Sequence, residues 1–84
     1  MAQSVTKTIN TQGIFETVES LTGITFVNGN TYTIQIVDVG YLKIGDAVFE
    51  MRNQIMQYKA GADTLYIKTD FIPCKIAILE EESA

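Results

Sequence analysis

Side chains that readily do covalent chemistry are scarce in this sequence. It contains one cysteine, Cys74, and no histidine. A Ser, Thr or Cys nucleophile needs a neighbouring base, and histidine is the usual one. Cys74 also alternates with Ile76 and Ile78, the spacing of side chains that share the buried face of a strand. We therefore expect Cys74 to be a core residue, and we predict no catalytic residue and no enzymatic activity.

Aspartates are the next candidates, because paired carboxylates can cleave glycosidic bonds and oxygen ligands can hold calcium. They are Asp38, Asp46, Asp63 and Asp70. All four fall where the pattern predicts turns, which favour aspartate because its side chain bonds nearby backbone groups. The glycines form neither a P-loop nor a dinucleotide fingerprint. We expect turn-forming roles, with a calcium loop or catalysis as the alternatives, and we predict no metal site and no cofactor.

The four tyrosines are candidates for a binding surface rather than for catalysis. They are Tyr32, Tyr41, Tyr58 and Tyr66. Tyrosine is frequent in strands and at interfaces, because its ring is apolar and its tip is polar. We expect core or subunit-interface positions, and a carbohydrate-stacking platform is the alternative.

Phe71 and Ile72 are two large apolar residues at the tip of a predicted turn, followed by Pro73. Exposing them is costly, so they either fold back or dock on a partner. Val5 and Ile9 are the only large apolar residues after Met1 in the polar, threonine-rich segment 1–12. We take Val5, Ile9, Phe71 and Ile72 as the candidate partner-interface residues.

The elements that position these residues are strands. Residues 22–37 carry two alternating runs on either side of Asn28 and Gly29, a pair that favours a type I′ hairpin turn. Alternation places Tyr32, Ile34 and Ile36 on the dry face of the second strand.

Further strands are expected at residues 14–20, at 41–44 between Gly40 and Gly45, at 64–69 and at 74–79. Residues 46–57 are ambiguous between a helix capped by Asp46 and two strands joined by a turn at Arg52 and Asn53. We favour the strands.

Turns that recur every eight to twelve residues are typical of sandwiches and small barrels. We predict an all-β, single-domain antiparallel β-sandwich or partly open barrel of about six to eight strands. Residues 1–12 form an N-terminal arm or edge strand, residues 13–80 the β domain, and residues 81–84 an acidic tail.

Size and charge restrict the partners. A net charge of −4 with no cluster of basic residues argues against nucleic acid. No apolar run approaches the roughly 20 residues of a membrane-spanning helix. A chain of 84 residues has a small core, so contacts with companions are the remaining way to stabilise it. We expect a homo-oligomer or a multi-copy lattice, and the free thiol fits synthesis in a reducing cytoplasm.

Two strings carry a resemblance to a known class of proteins: residues 26–35, FVNGNTYTIQ, and residues 57–69, QYKAGADTLYIKT. The pattern, over about residues 23–80, resembles short virion structural proteins of tailed bacteriophages, namely capsid auxiliary (decoration) proteins and head-fibre modules, crAss-like phages among them.

The resemblance implies a small β-sandwich-like subunit on the outside of an icosahedral capsid, made in the host cytoplasm and binding the major capsid protein or other virion proteins. The chain lacks a long repetitive or coiled-coil shaft, which favours a compact decoration subunit over a fibre. A tail-associated module and a host-surface or carbohydrate-binding β domain are the alternatives.

Overall fold

A computed structural model describes residues 3–81. Its elements are β1 (Ser4–Ile9), β2 (Glu16–Thr17), α1 (Val18–Thr22), β3 (Thr31–Ile44), β4 (Ala47–Lys59), β5 (Leu65–Lys68) and β6 (Cys74–Glu81). The six strands form one curled antiparallel sheet, a half-barrel. The prediction of a small all-β domain is therefore confirmed in its partly open barrel form.

Strand β3 is the centre of the sheet. Strand β4 pairs along one side of it, while β6 pairs with its first half and β5 with its second half on the other side. Strand β1 then pairs with β6, and β2 pairs with β5. Within the described chain, β4, β1 and β2 are consequently the edges of the sheet.

The core lies on the inner face of the curled sheet, as the alternation predicts. Tyr32, Ile34 and Ile36 of β3 are fully buried, and so are the alternating residues of β5 and β6. Those further core residues are Leu65, Ile67, Cys74, Ile76 and Ile78. The inner face is thus continuous from β1 to β5.

The predicted hairpin around Asn28 and Gly29 is wrong. Only Gly29 of this pair has a positive φ, 91°, whereas a type I′ turn needs two. The hairpin partner of β3 is β4, joined through Gly45 and Asp46, with Gly45 at φ 58°. Glycine with positive φ at the first central position is the arrangement of a type II′ turn.

Residues 24–27 are irregular because side chains, not a neighbouring strand, accept hydrogen bonds from their backbone N–H groups. Gly29 and Asn30 instead bond the backbone of Ala60, just after β4. The Phe26 N–H donates to Glu19 Oε2 at 3.0 Å, and the Val27 N–H donates to the Tyr32 hydroxyl at 2.7 Å. The Phe26 ring meets the Tyr32 and Tyr58 rings edge to face, with centroids 4.8 Å and 5.2 Å apart. The segment therefore covers the core instead of extending the sheet.

The strand predicted at residues 14–20 is also largely wrong, since only Glu16–Thr17 is extended and α1 follows. Val18 and Thr22, four residues apart, both face the core. Gly23 ends the helix in the left-handed region, φ 80°, and its N–H donates to the Glu19 carbonyl. Leu21 of the same helix also packs, partly buried, against the core. A helix of five residues is too short for its periodicity to be distinguished clearly from alternation, which is why a strand was predicted.

Strands β3 and β4 run straight through two predicted breaks. Residues 46–57 are not helical, and the predicted turn at Arg52 and Asn53 is an irregularity within β4. Opposite it, Asp38 takes φ 72° and its N–H donates to Asn53 Oδ1 at 2.9 Å. Gly40 lies inside β3, against Cys74, and does not end a strand.

The start and the end of the described chain lie in the sheet. Strand β1 is an edge strand paired with β6, from Ser4 opposite Leu79 to Ile9 opposite Cys74. Of the predicted acidic tail, Glu81 ends β6, and residues 82–84 lie outside the described residues. Residues 1–2 of the predicted arm also lie outside them.

Candidate functional site

The single cysteine of the chain is a core residue. Cys74 is buried on the inner face, as predicted, and burial raises the pKa of its thiol. A protonated, buried thiol is a poor nucleophile. Residues 3–81 contain no group of three or more His, Cys, Asp or Glu side chains arranged to hold a metal ion.

Three of the four aspartates lie in connections between strands, and the fourth lies within a strand. Asp46 lies in the β3–β4 turn, and Asp63 and Asp70 lie in the loops on either side of β5, as predicted. Asp38 does not, because it is inside β3 at the bulge.

The outer face of β3 and β5 gathers aromatic rings and lysines. Tyr41 is paired with Lys68, and Lys43 with Tyr66. Their inner-face neighbours, such as Leu42, are buried, so alternation turns these four side chains outward. The Phe15 ring joins them from the segment before β2. We call Phe15, Tyr41, Lys43, Tyr66 and Lys68 the aromatic–lysine face.

Cation–π contacts connect this face. Lys68 Nζ lies 4.8 Å from the Tyr41 ring centroid and 5.2 Å from that of Phe15. Lys43 Nζ lies 5.6 Å from the Phe15 centroid and 5.9 Å from that of Tyr66. Such contacts contribute about 0.5–1 kcal/mol each at exposed sites. They hold Phe15 on the sheet, and they place two flat tyrosine rings beside two ammonium groups.

An apolar loop, residues 70–73, lies next to the aromatic–lysine face. Phe71 is 91% exposed and Ile72 is 73% exposed. Together with Val39, Tyr41, Arg52 and Asp70, these two side chains line an open cavity of about 290 Å³. The negative charge of Asp70, in this loop, raises the pKa of the Tyr41 hydroxyl on the aromatic–lysine face.

The four predicted contact residues divide into two pairs. Phe71 and Ile72 do not fold back onto the domain, so the first alternative for them is wrong. Ile9 is 2% exposed and belongs to the core of its own chain, and Val5 packs partly buried against the same core. Strand pairing with β6 turns Ile9 inward opposite Cys74, and Ile9 is therefore removed from the candidate contacts.

Two of the four tyrosines, Tyr32 and Tyr58, are core residues. The other two, Tyr41 and Tyr66, form the aromatic–lysine face with Lys43 and Lys68, which the sequence reasoning missed. A signal for them was present, since Tyr-x-Lys occurs at residues 41–43 and again at 66–68. Two such strings on antiparallel neighbours place each tyrosine opposite a lysine.

A second apolar surface was also missed. Ile55 of β4 and Leu79 of β6 are exposed on the outer face at the far end of β3. They line a shallow groove of about 470 Å³ together with small side chains such as Ala77 and Thr33. Exposed apolar side chains therefore occur at both ends of the half-barrel.

Comparison of the chain with protein-family models, with curated protein sequences and with solved structures gives no match. In residues 3–81, no helix has the length and apolar character that crossing a membrane requires.

Proposed function

We propose that this chain is a non-enzymatic structural protein of a bacteriophage virion, an auxiliary (decoration) protein that binds and stabilises the major capsid shell through the apolar loop. The exposure of Phe71 and Ile72 is the observation that supports this proposal. The resemblance of residues 23–80 to short virion structural proteins supplies the particular partner. The protein then acts on the capsid surface after synthesis in the host cytoplasm.

The physical basis is the cost of leaving these two side chains in water. Fully burying a phenylalanine or an isoleucine contributes about 1.5–3 kcal/mol each. One such contact is modest, but a symmetric shell repeats it in every copy. Binding to the folded domain also stabilises it by mass action, which matters for a chain with a small core.

Co-sedimentation with shells of the phage that encodes the chain tests the proposal. The wild-type protein is expected to sediment with the shells, and Ile72→Ser is expected to lose most of that binding. The matched control is Ile55→Ser, because Ile55 is similarly exposed, 65% against 73%, but lies on β4. Failure of the wild-type protein to sediment with the shells, or equal loss in both variants, would overturn the proposal.

The aromatic–lysine face favours a second candidate, a carbohydrate-binding or host-surface-binding β domain. Tyrosine rings can stack on the apolar faces of sugars, and neighbouring lysines can hydrogen-bond hydroxyl or acidic groups. Glycan-array binding that is lost on Tyr41→Ala and on Tyr66→Ala, but retained on Phe71→Ala, would support this candidate. Folding of each variant is checked by circular dichroism, and absence of glycan binding by the wild-type protein would contradict it.

A further inference from the structure

Strand β4 has an unpaired edge along its whole length within residues 3–81. It is 13 residues long, and β3 is its only neighbour. An edge strand presents N–H and C=O groups that another strand can pair with. Two of its apolar side chains flank this edge, Val48 on the outer face and Phe49 on the inner face, and both are about half exposed.

In the middle of β4, one backbone N–H finds a hydrogen-bond acceptor within its own strand. The Arg52 N–H donates to Oε1 of Gln54 at 3.3 Å, a side chain of the same strand. The Arg52 side chain forms an ion pair with Glu50, also on β4 and also on the outer face. Both groups of the pair are largely exposed, so the pair adds little stability within one chain.

We propose that β4 pairs antiparallel with β4 of a second copy, about a two-fold axis at Met51, so that two half-barrels share one continuous sheet. This register places Glu50 of each copy opposite Arg52 of the other. Cross-strand neighbours of opposite charge stabilise a sheet, and like charges directly opposite destabilise it. The two-fold symmetry forms the ion pair twice.

The same two side chains disfavour the neighbouring registers. In a continuous sheet, the outer face of one copy continues into the outer face of the other, so outer-face residues pair with outer-face residues. The alternative two-fold registers are therefore those in which the axis passes through another residue of β4. Moving it to Glu50 places the two Glu50 carboxylates opposite each other, and moving it to Arg52 opposes the two guanidinium groups. Moving it to Phe49 leaves Glu50 against the apolar Val48 and places Arg52 beyond the start of the partner's β4.

The backbone sets the length of the new ladder. Asn53 has φ 47°, and the residues after it change faces relative to those before it. The shared ladder therefore covers about residues 49–53 of each copy. In it, Phe49 lies beside Asn53 of the other copy and loses part of its exposure to water.

Mixing two charge-reversal variants tests this proposal, using the whole chain and no capsid. In sedimentation velocity, the wild-type protein is expected to shift from monomer to dimer as its concentration rises. Added salt is expected to return the dimer to monomer, because salt screens the ion pairs. Glu50→Arg and Arg52→Glu are each expected to be monomers, because each places like charges opposite across the two-fold. An equimolar mixture is expected to recover the dimer, since arginines of one variant then face glutamates of the other.

Mixing the two variants cannot restore an ion pair between residues 50 and 52 of the same chain. Recovery of the dimer in the mixture would therefore show that these residues meet between copies. Lys59→Glu is the matched control for Arg52→Glu, because it makes the same change in charge on β4 outside the ladder, and it should dimerise like the wild type. A wild-type monomer at every concentration overturns the proposal, and so does a mixture of folded variants that stays monomeric. The result is independent of shell binding, so this proposal and the proposed function fail separately.

Discussion

The Tyr32 hydroxyl donates a hydrogen bond of 2.8 Å to Oε2 of Glu80, across the pairing of β3 with β6. The same hydroxyl accepts the Val27 N–H, and Asn30 Nδ2 donates to the same carboxylate oxygen at 3.1 Å. The other carboxylate oxygen accepts the Gln3 N–H. One buried glutamate therefore connects β1, β3 and β6 with the irregular segment that covers the core.

Removing the Tyr32 hydroxyl is expected to destabilise the protein. Tyr32→Phe leaves the Val27 N–H and the Glu80 carboxylate each short of a partner in a buried setting, a loss of about 1–3 kcal/mol in the free energy of unfolding. Urea denaturation followed by circular dichroism measures it. Tyr66→Phe on the outer face is the control, with a change within about 0.5 kcal/mol. Equal effects of the two substitutions would contradict the network.

The stability of the protein is expected to fall in acid partly through Glu80. Hydrogen bonds from Asn30, Tyr32 and the Gln3 backbone lower the pKa of Glu80 below its ordinary value of 4.5. As pH falls past 4.5, the carboxyl in the unfolded chain takes up its proton first. Its contribution is thus complete above that pH and is lost as pH falls through the folded-state pKa.

Glu80→Gln cannot titrate, so its urea midpoint is expected to be lower than wild type at about pH 7 and to change less between about pH 7 and pH 3. The neighbouring, exposed Glu81→Gln is the control. A wild-type acid response that survives intact in Glu80→Gln would exclude this role.

A side chain at Gly40 is expected to be crowded. A Cβ at this position would lie 3.2 Å from Cys74 Sγ and 3.3 Å from Ile36 Cγ2 on the crowded inner face. Gly40→Ala should therefore lower the free energy of unfolding by about 1–3 kcal/mol through overpacking. In a double-mutant cycle with Cys74→Ala the combined loss should be smaller than the sum, because the alanine at residue 74 removes the sulfur. If the two losses of stability simply added, the crowding at residue 40 would not involve Cys74.

Alanine substitutions of Ile9 and Phe71 are expected to differ in their effect on thermal stability, because Ile9 is buried and Phe71 is exposed. Ile9→Ala removes a core side chain and is expected to cost about 2–5 kcal/mol. Phe71→Ala removes an exposed one and should change stability by no more than about 0.5 kcal/mol. If Ile9→Ala proved as harmless as Phe71→Ala, β1 would be dispensable to the fold, against its pairing with β6.

The alternation of apolar and polar residues predicted the core residues well, because the face on which a side chain lies depends only on its position along its own strand. The inward residues of β3, β5 and β6 follow a period of two that packing preserves, and Cys74 follows from the same period. The partner of β3 could not be inferred this way, because Asn28 with Gly29 and Gly45 with Asp46 both favour turns. What decides between them is whether the flanking backbone finds a strand or side chains such as Glu19 and Tyr32.

The exposed apolar and aromatic surfaces were harder to infer because they depend on the register of the strands. Phe71 and Ile72 were found from their unusual place at a turn tip. The aromatic–lysine face was not, since Tyr41 and Lys68 become neighbours only once β3 and β5 are aligned. Ile9 was wrongly expected at an interface for the same reason. Its inward orientation is set by pairing with β6, which is distant in sequence.

The Gln3 carbonyl accepts the Glu80 N–H at 2.8 Å, so both ends of the described chain leave the domain at one corner. The apolar loop lies at the other end of β6, eight strand residues away, a span of about 25 Å. A peptide or whole domain fused near this corner would therefore be joined far from the apolar loop. The chain could likewise be rejoined at that corner and reopened among the exposed residues 61–64, giving a circular permutant with every strand in place.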